Sequence, residues 1–181
     1  MMLFSTPRTN VYLLTNEVAE GFQRFIIDNR DYFSPYEPLR NEDFFALESV
    51  RERIAVSGKA FEERKGLSIV FTLKGDNKIL GNANFTNVVY GVFQACYLGF
   101  SIDRACQGKG LMQEVLKAAI QFVHNEYQLH RIMANHLPDN FRSAKTLAAL
   151  GFVKEGYAES YLKINGKWQD HVLNALVLPE S

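Results

Sequence analysis

The sequence predicts an α/β (α+β) protein, with one mixed, mostly antiparallel central sheet and helices on both of its faces. Three observations carry that prediction. The hydrophobic period changes from helical to strand-like after Gly66. A long amphipathic helix over residues 108–127 then interrupts the strands. Near the end of the chain, Asn165-Gly166 separates two β-rich runs, the strongest short hairpin signal a sequence offers.

Taken in order, residues 10–14 (NVYLL) read as a first strand. Thr15 or Asn16 is placed to cap a helix running to about Asn29, with Phe22, Phe25 and Ile26 on one face. Tyr36-Glu37-Pro38 breaks the chain, because proline restricts the residue before it. Asn41 is placed to cap a second helix carrying Phe44, Phe45, Leu47, Ile54 and Phe61. Strands follow at 67–73, 79–87 and 93–103, the first two joined by the turn Lys74-Gly75-Asp76-Asn77, and they read as an antiparallel meander. The long helix repeats apolar side chains at Met112, Leu116, Ala119, Ile120 and Val123. A short strand at 131–135 and a short helix at 143–150 come next, with Gly151 ending the helix. The runs 153–164 and 168–178 complete the order βααβββαβαββ.

Composition narrows the function classes. The chain has 181 residues with 47% hydrophobic and 22% charged, a globular balance that excludes disorder and fits a single domain spanning 1–181. Its 20 basic and 20 acidic residues cancel, so bulk charge gives no support for direct nucleic-acid binding. Cys96 and Cys106 have neither disulfide nor zinc spacing, and no metal site is expected. The start MMLFSTPRTN lacks a signal-peptide pattern, and no apolar run is long enough for a bilayer, so a cytoplasmic protein is expected.

The chemistry concentrates in LGFSIDRACQGKGLMQEVL, residues 98–116. A β-rich run enters Gln107-Gly108-Lys109-Gly110 and a helix leaves it. Free N–H groups and the helix dipole at such a start favour phosphate, and glycines let the backbone approach it. A Walker A loop is excluded, because Asp103 stands where its first glycine belongs and Leu111 follows Gly110. A dinucleotide fingerprint is excluded by Gln113. A second cluster, Asn140-Phe141-Arg142-Ser143, follows the strand HRIMAN and precedes Leu150-Gly151-Phe152. Asn140 and Ser143 also read as plain helix caps.

The loop resembles the acetyl-CoA loop of the GNAT superfamily, Gln/Arg-x-x-Gly-x-Gly/Ala, with Gln107 and Gly110 matching and Met112 departing at the last position. The set YLGFSI, QGKGLM, HRIMAN, N-x-x-S, LGF-x-KEGYA and W-x-DHV is similar to the RimJ branch of the Rim-type ribosomal-protein alanine N-acetyltransferases, over roughly residues 30–177. The resemblance implies a GNAT fold with a splayed strand pair, placed at 99–103 and 131–135, and acetyl-CoA as co-substrate in the gap. Ile102 would meet the pantetheine arm, the backbone of Gln107, Gly108, Lys109, Gly110, Leu111 and Met112 would hold the pyrophosphate, and Asn140 would bond the cofactor arm. It implies direct attack of an amine on the thioester, with both cysteines as bystanders.

The catalytic residues are less uniform across such a family. The position where many GNAT enzymes carry an acidic Tyr is Leu147, so the resemblance passes the role of assisting thiolate departure to Ser143. A sister enzyme's basic Glu aligns with Leu162, leaving Glu37, in the Tyr-Glu-Pro loop, as the leading base against a solvated-loop alternative. Tyr97 is a further candidate to contact the amine, against a plain core-aromatic reading, and Asp170 with His171 reads either as an acid–base pair or as a polar strand face. The expected partner is the N-terminal alanine of ribosomal protein five of the small subunit, free or in the assembling ribosome. A small-molecule amine acceptor, and an assembly factor that binds acetyl-CoA without turnover, remain alternatives.

Overall fold

The computed structural model of the chain describes residues 1–180. Its strands are β1 (Met2–Ser5), β2 (Thr9–Leu13), β3 (Leu67–Leu73), β4 (Gly81–Val89), β5 (Ala95–Ile102), β6 (Arg131–His136), β7 (Val153–Ile164) and β8 (Lys167–Val177). Its helices are α1 (Ala19–Asp28), α2 (Arg30–Phe33), α3 (Leu47–Glu62), α4 (Leu111–Tyr127) and α5 (Phe141–Ala149). All eight strands join one sheet in the order β1-β2-β3-β4-β5-β6-β8-β7. Each neighbouring pair is antiparallel except β5 with β6.

Strand alternation sends side chains to two cores. Val11 and Leu13 of β2, with Leu67, Ile69 and Phe71 of β3, join Met112, Val115, Leu116, Ala119 and Val123 of α4 in the larger one. Tyr12 and Val70 turn the other way, onto Phe25 of α1 and Val50 and Ile54 of α3. A sheet covered on both faces needs apolar residues at consecutive positions, which is why Ile69, Val70 and Phe71 are all fully buried.

The expected meander, long helix and closing hairpin all form. Asn165 and Gly166 both have positive φ, 48° and 82°, the conformation a two-residue hairpin turn demands. Several boundaries differ for physical reasons. β1, four residues ahead of Pro7, carries too short a pattern to read, and an irregularity between Met2 and Phe4 blurs it further. Asn41 does cap, its side chain accepting the Phe44 N–H at 3.1 Å, but what it caps is a 3-10 turn. The second long helix begins only at Leu47, after an extended Ala46 with ψ 141°. Thr15 likewise precedes a 3-10 turn and makes no side-chain capping bond. α4 starts at Leu111, because Gly108 and Gly110 both take φ 75° and cannot sit inside a right-handed helix. No helix among the described residues is long and apolar enough to cross a membrane.

Candidate active site

The parallel pair at the centre of the sheet is short. β5 and β6 are in register only at Ala95 with Arg131, Cys96 with Ile132 and Tyr97 with Met133. Beyond that point β5 remains paired to β4 as far as Ile102, and β6 remains paired to β8 as far as His136. The two strands have therefore parted, and their facing edges from Leu98 and Ala134 onward lack a partner strand. The free edge of β5 includes Ile102, as expected. That of β6 is 134–136, because residues 131–133, expected to be splayed, are the paired part.

The free edge of β5 leads into the phosphate-type loop. Asp103 turns the chain, its carboxylate accepting the Ala105 N–H at 2.8 Å. Gly108 and Gly110 then take positive φ, and Gly110 is the N-cap of α4, supplying no side chain to satisfy the N–H groups ahead. Within the helix the first backbone bond runs from Glu114 N–H to Gly110 C=O at 3.0 Å, so the N–H groups of Leu111, Met112 and Gln113 have no helical acceptor. Left-handed glycines, free N–H groups and the positive end of a 17-residue helix are the features by which a helix start can receive a phosphate group. Met112 departs from the small residue of the motif at no cost here, because its side chain is buried in the core while its N–H stays at the loop.

Opposite the loop, α5 begins beyond the free end of β6. Asn140 acts as its cap, its side-chain carbonyl accepting the Ser143 N–H at 3.3 Å. The cap uses only the oxygen of Asn140, so its amide NH2 remains a donor. Ser143 is half-buried in the first turn of α5, and its hydroxyl makes no hydrogen bond with the described residues. Arg142 bridges the two halves, donating to the Gln107 side chain in the loop and to the Tyr32 hydroxyl of α2.

On the other face of the sheet lies a cavity of about 560 Å³. Its walls come from α1, α3 and the segment 33–45, and its floor includes Asn82, Asn84 and Gly99, Phe100 and Ser101 of the free β5 edge. Glu37 lines it, and burial raises the Glu37 carboxyl above its ordinary value, with Arg40 and Arg53 opposing the rise. The Glu37 carbonyl accepts the Asn165 N–H at 2.7 Å, so the β7–β8 turn props the loop that carries this side chain. Tyr97 is the last β5 residue paired with β6 and shares a face with Gly99 and Ser101. Tyr161 of β7 lies nearby, and its phenol is pushed up by burial and by the neighbouring Tyr97. Glu37 and the free β5 edge thus meet in one cavity, whereas Ser143 lies outside its lining.

Asp170 and His171 make no hydrogen bond to each other. Asp170 accepts from the Tyr157 hydroxyl at 2.7 Å and the Ser160 N–H at 2.9 Å, and these bonds hold its pKa below the usual value. They stabilise the irregularity between Ala158 and Leu162, where Ser160 takes φ 45°. The polar-strand reading of these two residues is the one the geometry supports.

A family model described as an acetyltransferase (GNAT) domain matches residues 14–153. The chain belongs to the GNAT acetyltransferase family. Among GNAT relatives, the [ribosomal protein uS5]-alanine N-acetyltransferase of Escherichia coli (strain K12) is 43% identical over 178 residues, 97% of this chain and 91% of that protein. The crystal structure of ribosomal-protein-S5-alanine acetyltransferase from Vibrio fischeri superposes with a TM-score of 0.92 at 36% identity, covering 96% of this chain and 95% of that one. Mycobacterium smegmatis RimJ in complex with CoA-disulfide gives a TM-score of 0.88 at 25% identity, over 96% and 85% of the two chains.

Within this GNAT site the cysteines are poor nucleophiles. Cys96 is fully buried, and burial pushes its thiol up to about 12. Cys106 is also raised, by burial and then by Asp103. Among the described residues no group of three or more His, Cys, Asp or Glu side chains is placed to hold a metal ion.

Arg8 escaped the sequence reading. From the β1–β2 turn it donates through Nε to Glu114 at 2.9 Å and through Nη1 to the Lys109 carbonyl at 2.9 Å, bracing the GNAT loop from outside. Thr6 adds a bond to Glu114 at 2.5 Å. Burial opposes ionisation of Glu114, but the Thr6 and Arg8 bonds together outweigh it and keep the carboxyl below its ordinary pKa. No motif flags Arg8, because the contact joins positions about a hundred residues apart.

Proposed function

We propose that this GNAT domain, taken as one unit over residues 1–181, transfers the acetyl group of acetyl-CoA to the N-terminal alanine α-amine of ribosomal protein uS5 in the cytoplasm. The observation that carries the acceptor is the 43% identity to the E. coli uS5-alanine enzyme, which extends over 97% of this chain and therefore includes the acceptor cavity as well as the loop. Either the free protein or the assembling ribosome can present that terminus.

The residues present fit acetyl-CoA. The left-handed Gly108 and Gly110, with the unpartnered N–H groups at the start of α4, suit its pyrophosphate, and Lys109 sits between them. The unpaired backbone of β5 near Ile102 suits its amide-bearing arm, and the free amide of Asn140 faces the same need from α5. The co-substrate supplies an activated acyl thioester. The acceptor amine, entering from the Glu37 cavity, forms the new N–C bond as the C–S bond breaks. Glu37 takes the amine proton, directly or through water, and its raised pKa makes it a better base than an ordinary carboxylate. Ser143 donates a hydrogen bond to the departing sulfur, a mild task for a leaving thiol of pKa near ~8.5. Tyr97, beside Tyr161, helps shape the amine's position.

An α-amine of pKa near ~7.8 needs little help from a base, whereas a lysine near ~10.4 starts about 3.5 kcal/mol worse. Mass spectrometry with an alanine-starting uS5 peptide, and with the same peptide blocked at its N-terminus but carrying an internal lysine, tests the assignment. Acetylation should be confined to the free α-amine. Equal rates on the two peptides would overturn it.

A further inference from the structure

The Glu37 cavity holds more positive charge than the acetyl transfer uses. Its lining includes three guanidinium groups, those of Arg30, Arg40 and Arg53, against the one carboxylate of Glu37. Arg30 is accounted for, because its Nη2 donates to Glu42 at 2.6 Å and its cation lies 4.3 Å from the Phe45 ring centroid. Arg40 and Arg53 are not.

The Nε of Arg40 is buried without a hydrogen-bond partner, and Glu37 Oε2 stands 3.8 Å away, beyond hydrogen-bond reach. Arg53 donates to the Phe44 carbonyl at 2.8 Å, a neutral acceptor for a charged donor. Both guanidinium carbons lie over one ring, 4.2 Å (Arg40) and 3.8 Å (Arg53) from the Phe44 centroid. Two planar cations that close to one centroid are both anchored on the same ring, which holds them near each other in the cavity wall. Each guanidinium carries five donors in a rigid fork, and a single Glu37 carboxylate at arm's length does not satisfy two forks. Donors left short of acceptors in a partly desolvated cavity are costly, and a carboxylate arriving there meets them in charge-assisted bonds.

We propose that Arg40 and Arg53 form an acidic-residue subsite of the acceptor cavity, binding the side-chain carboxylate of an Asp or Glu among the first residues of the acceptor chain. The proposal rests on the reading above, that the acceptor is a protein N-terminus. It follows from the layout of the cavity: the amine must reach the free β5 edge at 99–101, and Glu37 and Arg40 stand three residues apart in sequence along the same wall. An extended acceptor advances about 3.3–3.6 Å per residue, so only a carboxylate close behind the amine can meet the pair. The subsite thus makes the enzyme read charge as well as a terminal alanine.

The test uses C-terminally amidated, alanine-starting peptides that differ only in carrying Glu or its isostere Gln at one early position. With wild-type enzyme, kcat/KM should favour a Glu peptide over its Gln partner by about tenfold to a hundredfold for at least one position, as charged hydrogen bonds imply. Added salt should shrink the preference. The ratio should fall toward one in Arg40→Gln and Arg53→Gln, with Arg53→Lys keeping part of it. Equal turnover of every Glu and Gln pair by the wild-type enzyme would overturn the subsite while leaving N-terminal acetylation standing. Failure to acetylate any alanine-starting peptide would remove the acceptor reading, and the subsite with it. A Glu preference kept in full by folded Arg40→Gln and Arg53→Gln would also overturn it, and the wild-type comparison can overturn it even where a variant fails to fold.

Discussion

Glu37 and Ser143 approach the gap between β5 and β6 from different elements, and their proposed roles make separable kinetic predictions. Glu37 is raised by burial, so kcat should fall as pH drops through a value above the ordinary carboxylate range. Glu37→Gln should lower kcat by roughly 10²–10⁴-fold and abolish that acidic limb. An unchanged pH profile in the variant would assign the base elsewhere. The same raised pKa has a stability consequence of fixed sign. Folding favours the protonated form, so the stabilisation is complete below the unfolded pKa of about 4.3 and is lost as pH rises through the folded value. Ser143→Ala should lower turnover more than acetyl-CoA affinity, because a bond to the departing sulfur strengthens in the transition state. Undiminished turnover in that variant would sink the role. Glu37 could be suspected from its place beside a chain-breaking proline. Its raised pKa could not, because that depends on burial in a cavity formed by distant segments, against the opposing charge that α3 supplies through Arg53.

At the scale of elements, the loop before α4 joins conformation to binding. A Cβ at Gly110 would meet only the Arg8 Nη2, at 3.6 Å, which is an ordinary contact. The obstacle to a side chain there is therefore φ 75°, which a β-branched residue strongly resists. Gly110→Val should move the free N–H groups of the loop out of line and abolish acetyl-CoA binding by calorimetry while circular dichroism stays native. Retained affinity in a folded variant would refute the cradle. This part of the site was legible because the strand, the glycines and the amphipathic helix are contiguous in sequence. The Arg8–Glu114 brace was not, nor was the Arg142 bridge to Gln107, since both join segments that only the fold brings together. Helix starts were misread wherever a 3-10 turn came first, as at Asn41 and Thr15, because both residue types serve either kind of turn. The β3 run and the Asn165-Gly166 hairpin were legible because β-rich stretches and a two-residue turn are local signals.

For the molecule as a whole, the two parts of the sheet, β1–β5 and β6–β8, are joined through only three registered pairs between β5 and β6. A ligand that bridges the parted edges should therefore stabilise the entire fold. At a concentration a hundred times its Kd, acetyl-CoA should contribute about 2.7 kcal/mol, or roughly 5–10 °C in Tm for a chain of this size. A Tm unmoved by saturating acetyl-CoA would contradict that coupling. The parted edges bear also on polymerisation. An unpaired strand edge is ordinarily a template on which another chain can add, and proteins blunt such edges with charge, proline or bulges. Here the exposed backbone lies inside the sheet, in a wedge pinned shut at Tyr97 and Met133. A foreign strand needs a constant spacing of about 4.8 Å along its length, which a wedge offers over only a residue or two. A slender, amide-bearing chain needs no such ladder. The wedge therefore acts as a filter by shape, keeping adhesive backbone available to a slender chain while denying it to a foreign β-strand.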